Sequence, residues 1–268
     1  MSEVGEGTAP GGAVGGGLRL ALTTLTVAPV RGPAHIDRPT AGWAMRLAPL
    51  VGLGLALVLA ASLSAVDALT AGPAVLACTL AVALHALLTR GLHLDGLADV
   101  ADGLGSYGSP ARSREIMKQP EIGALGLSAV VLVLAVQVAA LLACVAAGRG
   151  VTALVVAVVT ARIAVTAACT VGVPAAAPDG LGALVAGTVP RVVAPAWAVL
   201  VAILGTVLAA TQDAPLWLPA VAVLLGLGAA RLLRAHCVRR LGGVTGDVLG
   251  ALVEVTTAVV LVVMALEL

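Results

Sequence analysis

Charge is the first thing this chain has little of. Only 11% of its 268 residues are Asp, Glu, Lys or Arg, against 60% hydrophobic, and mean hydropathy is +1.10. That balance excludes a soluble globular domain. Short segments of alternating apolar and polar residues are missing too, which excludes a membrane β-barrel. What is present is a series of apolar runs about 20 residues long, each of which must close its own backbone hydrogen bonds in lipid as a helix. Cysteine is sparse. Cys78, Cys144, Cys169 and Cys237 lack CxxC spacing and lie mostly in apolar runs, which argues against zinc or a disulfide framework. Phenylalanine is absent and tyrosine occurs once, as part of an Ala/Gly/Val bias that carries no functional meaning. A net charge of +1 gives no global attraction to nucleic acid.

The fold class expected is an all-α, polytopic membrane helix bundle of about seven transmembrane helices. Residues 1–17 are Gly-rich, are expected to be disordered and lack the basic start of a signal peptide, so no cleavage is expected. Residues 18–268 form one membrane-embedded domain. The run at 18–30 is too short to span and is expected to be interfacial or re-entrant. Spans are placed at about 44–65, 68–89, 123–147, 151–173, 192–211, 216–233 and 249–267. With loops numbered from zero at the N-terminus, every Lys and Arg except Arg149 and the intraspan Arg162 falls on the even side. Positive charge collects in the cytoplasm. The expected topology is therefore a multi-pass cell-membrane protein with its N-terminus cytoplasmic and its C-terminus outside. The acids Asp95, Asp99, Asp102 and Asp247 share the even side, so a site is expected at the cytoplasmic face.

The stretch GLHLDGLADVADGLGS, residues 91–106, places Asp95, Asp99 and Asp102 at i, i+4 and i+7. On a helix these carboxylates form one stripe, and like charges at i, i+4 cost a few tenths of a kcal/mol, or about 0.2–0.5 per pair. A bound divalent cation removes that repulsion. Oxygen-only ligands suit Mg²⁺, which is usually held by one or two carboxylates plus substrate phosphates. The pattern therefore points to a phosphate-bearing substrate; the alternative is a solvated acidic loop. Gly96, Gly103 and Gly105 let backbone approach a ligand. A second acidic segment, LGGVTGDVLGALVEV at 241–255, carries Asp247 at the start of the last span and Glu254 seven residues on.

Basic residues flank both segments. Arg112, Arg114 and Lys118 follow the aspartates, and Arg231, Arg234, Arg239 and Arg240 precede Asp247. Such clusters suit phosphate, or serve only topology and anionic lipid. His93 borders the stripe and could bond a ligand; His85 lies within a span.

GLHLDGLADVADGL (91–104), SREIMKQPEIGALG (113–126), GGVTGDVLGALVE (242–254) and the N-terminal LALTTLTVAPV together resemble the cobalamin synthase family, the adenosylcobinamide-GDP ribazoletransferases. The resemblance runs from about residue 18 to the C-terminus. The family often has Asp after the Met-Lys pair; here that position is Gln119. LDGLAD also resembles the DGxxAR signature of CDP-alcohol phosphotransferases, but Asp99 stands where that signature has Arg.

The resemblance implies an Mg²⁺-dependent membrane enzyme of late cobalamin biosynthesis. It would join α-ribazole, or its 5′-phosphate, to adenosylcobinamide-GDP with release of GMP. The implied catalytic and metal-holding residues are Asp95, Asp99, Asp102 and Asp247. Those implied for substrate binding are His93, Arg112, Arg114, Lys118, Arg234, Arg239 and Arg240. The expected partners are the two substrates, the lipid bilayer, and a second copy of the chain or other cobalamin-assembly enzymes. The competing expectations are a cation-coupled transporter, which would place its carboxylates at the bilayer midplane and show inverted repeats, and a CDP-alcohol-type phosphotransferase.

Overall fold

A computed structural model describes residues 10–70, 74–212 and 214–266. These residues form eleven helices and no strand. In chain order they are α1 (Pro10–Leu25), α2 (Arg38–Thr70), α3 (Ala74–Leu88), α4 (Leu92–Gly105), α5 (Pro110–Ile116) and α6 (Ala124–Ala146). Then follow α7 (Gly150–Ala168), α8 (Gly180–Val185), α9 (Val193–Ala210), α10 (Leu218–Leu241) and α11 (Gly246–Met264).

Six of these, α2, α6, α7, α9, α10 and α11, are long and apolar enough to cross a membrane. α3 and α4 qualify only as a joined pair, bent by 87°, which makes seven. The seven apolar runs of the sequence thus correspond to α2, α3, α6, α7, α9, α10 and α11. The second run differs in extent. α2 continues to Thr70 because no proline interrupts it after Pro49, and α3 starts only at Ala74. α4 follows the expected second span, 68–89, turns 87° from α3 and carries the three aspartates.

The N-terminal region also differs from the expectation. Residues 1–9 lie outside the described residues, but α1 begins at Pro10, within the stretch read as disordered. It packs on α2 at glycines: a Cβ on Gly17 would lie 2.4 Å from the Trp43 Cβ. α2 itself is capped by the Asp37 carboxylate, which accepts from the Thr40 N–H at 2.8 Å.

α7 and α11 form the centre. Nearly every residue of α7 is buried, as is most of α11. Apart from Arg162 on α7 and Asp247 and Glu254 on α11, neither carries a charged residue, as suits a helix enclosed by other helices. α6, α9 and α10 surround them and turn residues such as Leu132, Ile203 and Leu224 outward, as lipid-facing helices do. At one end of the bundle Arg149 donates from Nε to the Met264 carbonyl (2.8 Å) and from Nη2 to that of Leu266 (3.0 Å). Thr152 and Gln212 meet at the same end, 2.8 Å apart. Asp247, at the start of α11, is at the opposite end. All four cysteines are buried.

Candidate active site at the α4–α11 crossing

α4 owes its direction to the turn before it. Arg90 (φ 57°) and Gly91 (φ 66°) are both left-handed, and the Gly91 N–H closes α3 by donating to the Ala86 carbonyl at 2.8 Å. Left-handed backbone is uncommon for arginine. The Arg90 Nη2 secures it by donating to the Thr23 and Thr24 carbonyls at 3.0 and 3.2 Å.

α4 then crosses α11 at backbone contact. A Cβ on Gly96 would lie 2.6 Å from the Asp247 carbonyl oxygen, and one on Gly250 would lie 3.1 Å from the His93 Cα. Only glycine fits at Gly96, which is why the two acidic segments come together. Thr245 sets the start of α11. Its Oγ1 accepts from the Val248 N–H (3.2 Å) and donates to an Asp247 carboxylate oxygen (3.2 Å). The strand-like segment before it is pinned by Val244, whose N–H donates to Pro174 and whose carbonyl accepts from Ala176.

The aspartates are placed differently from one another. Asp95 and Asp99 line a cleft of about 680 Å³ whose opposite wall is the 117–122 loop, with Lys118, Gln119 and Glu121. Arg90 lies at its edge. Asp247 lines a neighbouring cavity of about 230 Å³ together with His93, and Leu92 borders both spaces. Burial, followed by the charges of Asp95, Asp247 and Asp102, pushes the Asp99 carboxyl up to about 7. The four acids therefore share one electrostatic site, and Lys118 lies within electrostatic reach of Asp247.

Asp102 is held apart by its hydrogen bonds. Its two oxygens accept from the Gly123 N–H (2.7 Å) and the Gly126 N–H (2.9 Å), capping α6 from another helix. Asp102→Ala leaves those donors without that carboxylate. It is expected to cost about 1–2 kcal/mol, as loss of an N-cap does, read as a lower melting temperature of the purified protein. An unchanged melt would show that the cap is dispensable.

Of the basic candidates, Lys118 alone lines the acidic cleft. Arg112 makes an exposed ion pair with Glu115 at 2.9 Å, the only salt bridge among the described residues. Arg114 donates to the Leu241 carbonyl at 2.5 Å. Arg240 donates to that of Gly108 at 3.5 Å and lies over the Tyr107 ring. Both tie the α4–α5 region to the end of α10. Arg239 is exposed. Arg234 donates to the Ala167 carbonyl at 2.6 Å and faces a separate cleft. His93 is buried, and that burial, with Arg162 and His85 nearby, holds its imidazole well below the usual range. A neutral, enclosed ring offers no charge to a phosphate.

Composition and spacing did not single out Arg90 or Glu121 as cleft residues. Nor did they reveal the polar cluster between spans. There Arg162 Nη2 lies 3.1 Å from His85 Nε2, and Gln137 Nε2 donates to a Glu254 carboxylate oxygen at 2.8 Å. All four are buried, so Glu254 is not water-reached.

A hard cation suits this donor set in kind. Asp95, Asp99 and Glu121 offer only carboxylate oxygen, and Asp99 carries negative charge around it that its neighbours do not neutralise. Among the described residues no three acidic, His or Cys side chains are grouped closely enough to hold an ion by themselves. The fit is thus to an ion held by one or two carboxylates and completed by a ligand's phosphates, the usual habit of Mg²⁺.

The profile of a family described as Cobalamin-5-phosphate synthase matches residues 17–265. A Frankia casuarinae protein named Adenosylcobinamide-GDP ribazoletransferase is 46% identical over 93% of this chain and 94% of its own length. Proteins of the same name from a Nocardioides species and Corynebacterium efficiens are 42% and 37% identical, each over 92% of this chain and over 97% and 90% of their own lengths. No solved structure matches the chain.

Proposed function

The chain belongs to the cobalamin-5-phosphate synthase family, and from that premise we propose that it joins α-ribazole, or its 5′-phosphate, to adenosylcobinamide-GDP in the cleft beside α4. It is a membrane transferase of cobalamin biosynthesis. The observation that carries the choice of site is the pairing of Asp95 and Asp99 with Lys118 across one cleft, beside Asp247.

In this proposal a ribose hydroxyl that is free in both α-ribazole and its 5′-phosphate, and is therefore not the 5′-hydroxyl, attacks the phosphorus on the cobinamide side of the pyrophosphate. A new P–O bond forms, the P–O bond to the GMP phosphate breaks, and GMP leaves with the bonding pair. The hydroxyl proton passes to a cleft carboxylate or to the departing phosphate. Lys118 grips phosphate as a point charge. Asp95 and Asp99 would hold Mg²⁺, and Asp247 adds negative field from behind α4. The bound ion supplies charge neutralisation on the pyrophosphate oxygens. Asp102 fixes α4 against α6 so that Asp99 keeps its place. The positive-charge pattern supports a cytoplasmic N-terminus and cytoplasmic cleft, and Arg149 at the opposite end is consistent with that arrangement.

The test is to incubate the purified protein in nanodiscs with both substrates and resolve the corrinoid product and GMP. Formation of the joined corrinoid with equimolar GMP is expected. Intact adenosylcobinamide-GDP after prolonged incubation with Mg²⁺ would overturn the proposal.

A pH dependence follows from Asp99. With its carboxyl at about 7, it is protonated below that pH, and a cation must displace the proton. The Mg²⁺ concentration for half-maximal turnover should rise as pH falls from 8 to 6, approaching tenfold per unit (on the order of one proton released per ion). A half-saturation independent of pH would exclude Asp99 from the ion's ligands.

A further inference from the structure

A second cleft, of about 630 Å³, opens between the spans α7, α9 and α10 and shares no lining residue with the acidic one. Three arginines, Arg191, Arg231 and Arg234, stand around it, and no aspartate or glutamate does. The rest of the wall is mostly small and apolar, with Ala164, Ala198 and Leu227 typical. Arg234 and Arg191 are held in position by the α7 end: Arg234 donates to the Ala167 carbonyl (2.6 Å) and Arg191 to that of Val171 (3.3 Å). The chain at Gly172 passes close to Arg191, whose Nη2 would lie 3.2 Å from a Cβ there. Each guanidinium has five N–H donors, so most remain available. Arg231 is exposed and has no hydrogen-bond or ion-pair partner among the described residues. Next to these arginines, Val192 and Leu232 turn outward and are 73% and 74% exposed, so the mouth of the cleft opens onto an apolar surface.

Three positive charges unopposed by any acid, beside apolar spans, are costly unless an anion joins them. A free nucleotide would meet an apolar wall and surface that offer it nothing. A molecule with a phosphate head and hydrocarbon tails satisfies both halves. From this juxtaposition we infer that the α7–α9–α10 cleft is a binding site for an anionic phospholipid. Its headgroup phosphate is bound by Arg191, Arg231 and Arg234, and its acyl chains lie along the outer faces of α9 and α10. Basic residues next to a span attract anionic lipid in general. Here they converge on one cleft, and the inference does not depend on the chemistry proposed for the acidic one.

The full-length protein, purified and reconstituted in nanodiscs of equal phosphatidylglycerol and phosphatidylcholine, is partially delipidated and its retained lipid counted by native mass spectrometry. Several-fold enrichment of phosphatidylglycerol is expected. Arg231→Gln should lose most of the enrichment, Arg231→Lys should keep it, and Arg112→Gln, which removes an exposed charge elsewhere, should leave it unchanged. Equal retention of the two lipids would overturn the inference, as would full enrichment in Arg231→Gln. Displacement of the retained lipid by inorganic phosphate or GMP at millimolar concentration would also overturn it, since the cleft would then be a soluble-anion site.

Discussion

Asp99→Asn is expected to lower Mg²⁺-dependent turnover by about 10²–10³-fold, the scale on which loss of one preorganised transition-state contact is felt. The substitution keeps the shape of the side chain and removes only its charge. Asp99 lies between Asp95 and Asp102 on α4, faces the cleft with Asp95, and feels Asp247 from α11. All three of the other carboxylates act on it. Folding should not suffer, because relief of like-charge repulsion works in favour of the fold. Lys118→Met separates binding from chemistry. If Lys118 grips substrate phosphate in the ground state, KM for adenosylcobinamide-GDP should rise more than kcat falls. The readout is GMP release against substrate and Mg²⁺ concentration. Near-normal turnover of Asp99→Asn at saturating Mg²⁺ would return the stripe to the role of a solvated acidic surface.

The largest expected effect on stability is at Arg162. Its guanidinium is fully buried between spans, bonded to His85, with Glu254 within electrostatic reach and Gly52 of α2 making room for its stem. Removing one charge from such a cluster leaves the other uncompensated, which typically costs about 3–5 kcal/mol. Arg162→Met should therefore lower the melting temperature of the purified protein by several degrees. Adding Glu254→Gln to that variant should recover much of the loss, because replacing both charged partners is far less costly than stranding one. A melt unchanged by Arg162→Met, or no recovery in the double variant, would contradict this account.

The bundle was legible because a span is a local property. Each of the seven apolar runs had to be a helix wherever it lay. Which runs are central was not legible, since α7 and α9 are nearly equal in hydropathy over a span's length while one is enclosed and the other faces outward. The bend that turns α4 along the bundle depends on Arg90 adopting a left-handed conformation, for which arginine gives no signal. The aspartate spacing put Asp95, Asp99 and Asp102 on one stripe of a helix, and of these Asp95 and Asp99 line one cleft. It could not show that Asp102 caps α6, because the donors Gly123 and Gly126 are brought to it by tertiary structure. The arginines were the least legible. Similar clusters in the sequence resolve into a latch at Arg114 and Arg240, an exposed ion pair at Arg112 and a separate cleft at Arg234.

The central claim is that two carboxylates of α4 and the substrate's phosphates together complete one cation site. It is tested most directly by titrating Mn²⁺, as a paramagnetic stand-in for Mg²⁺, into the protein in nanodiscs and following its free signal by electron paramagnetic resonance, with and without adenosylcobinamide-GDP. Mn²⁺ should bind weakly to the protein alone and at least tenfold more tightly once the substrate is present (an enhancement on the order of 1.4 kcal/mol). Asp95→Asn and Asp99→Asn should each abolish that enhancement. Substrate that leaves Mn²⁺ binding unchanged, or an enhancement that survives both substitutions, would contradict the claim.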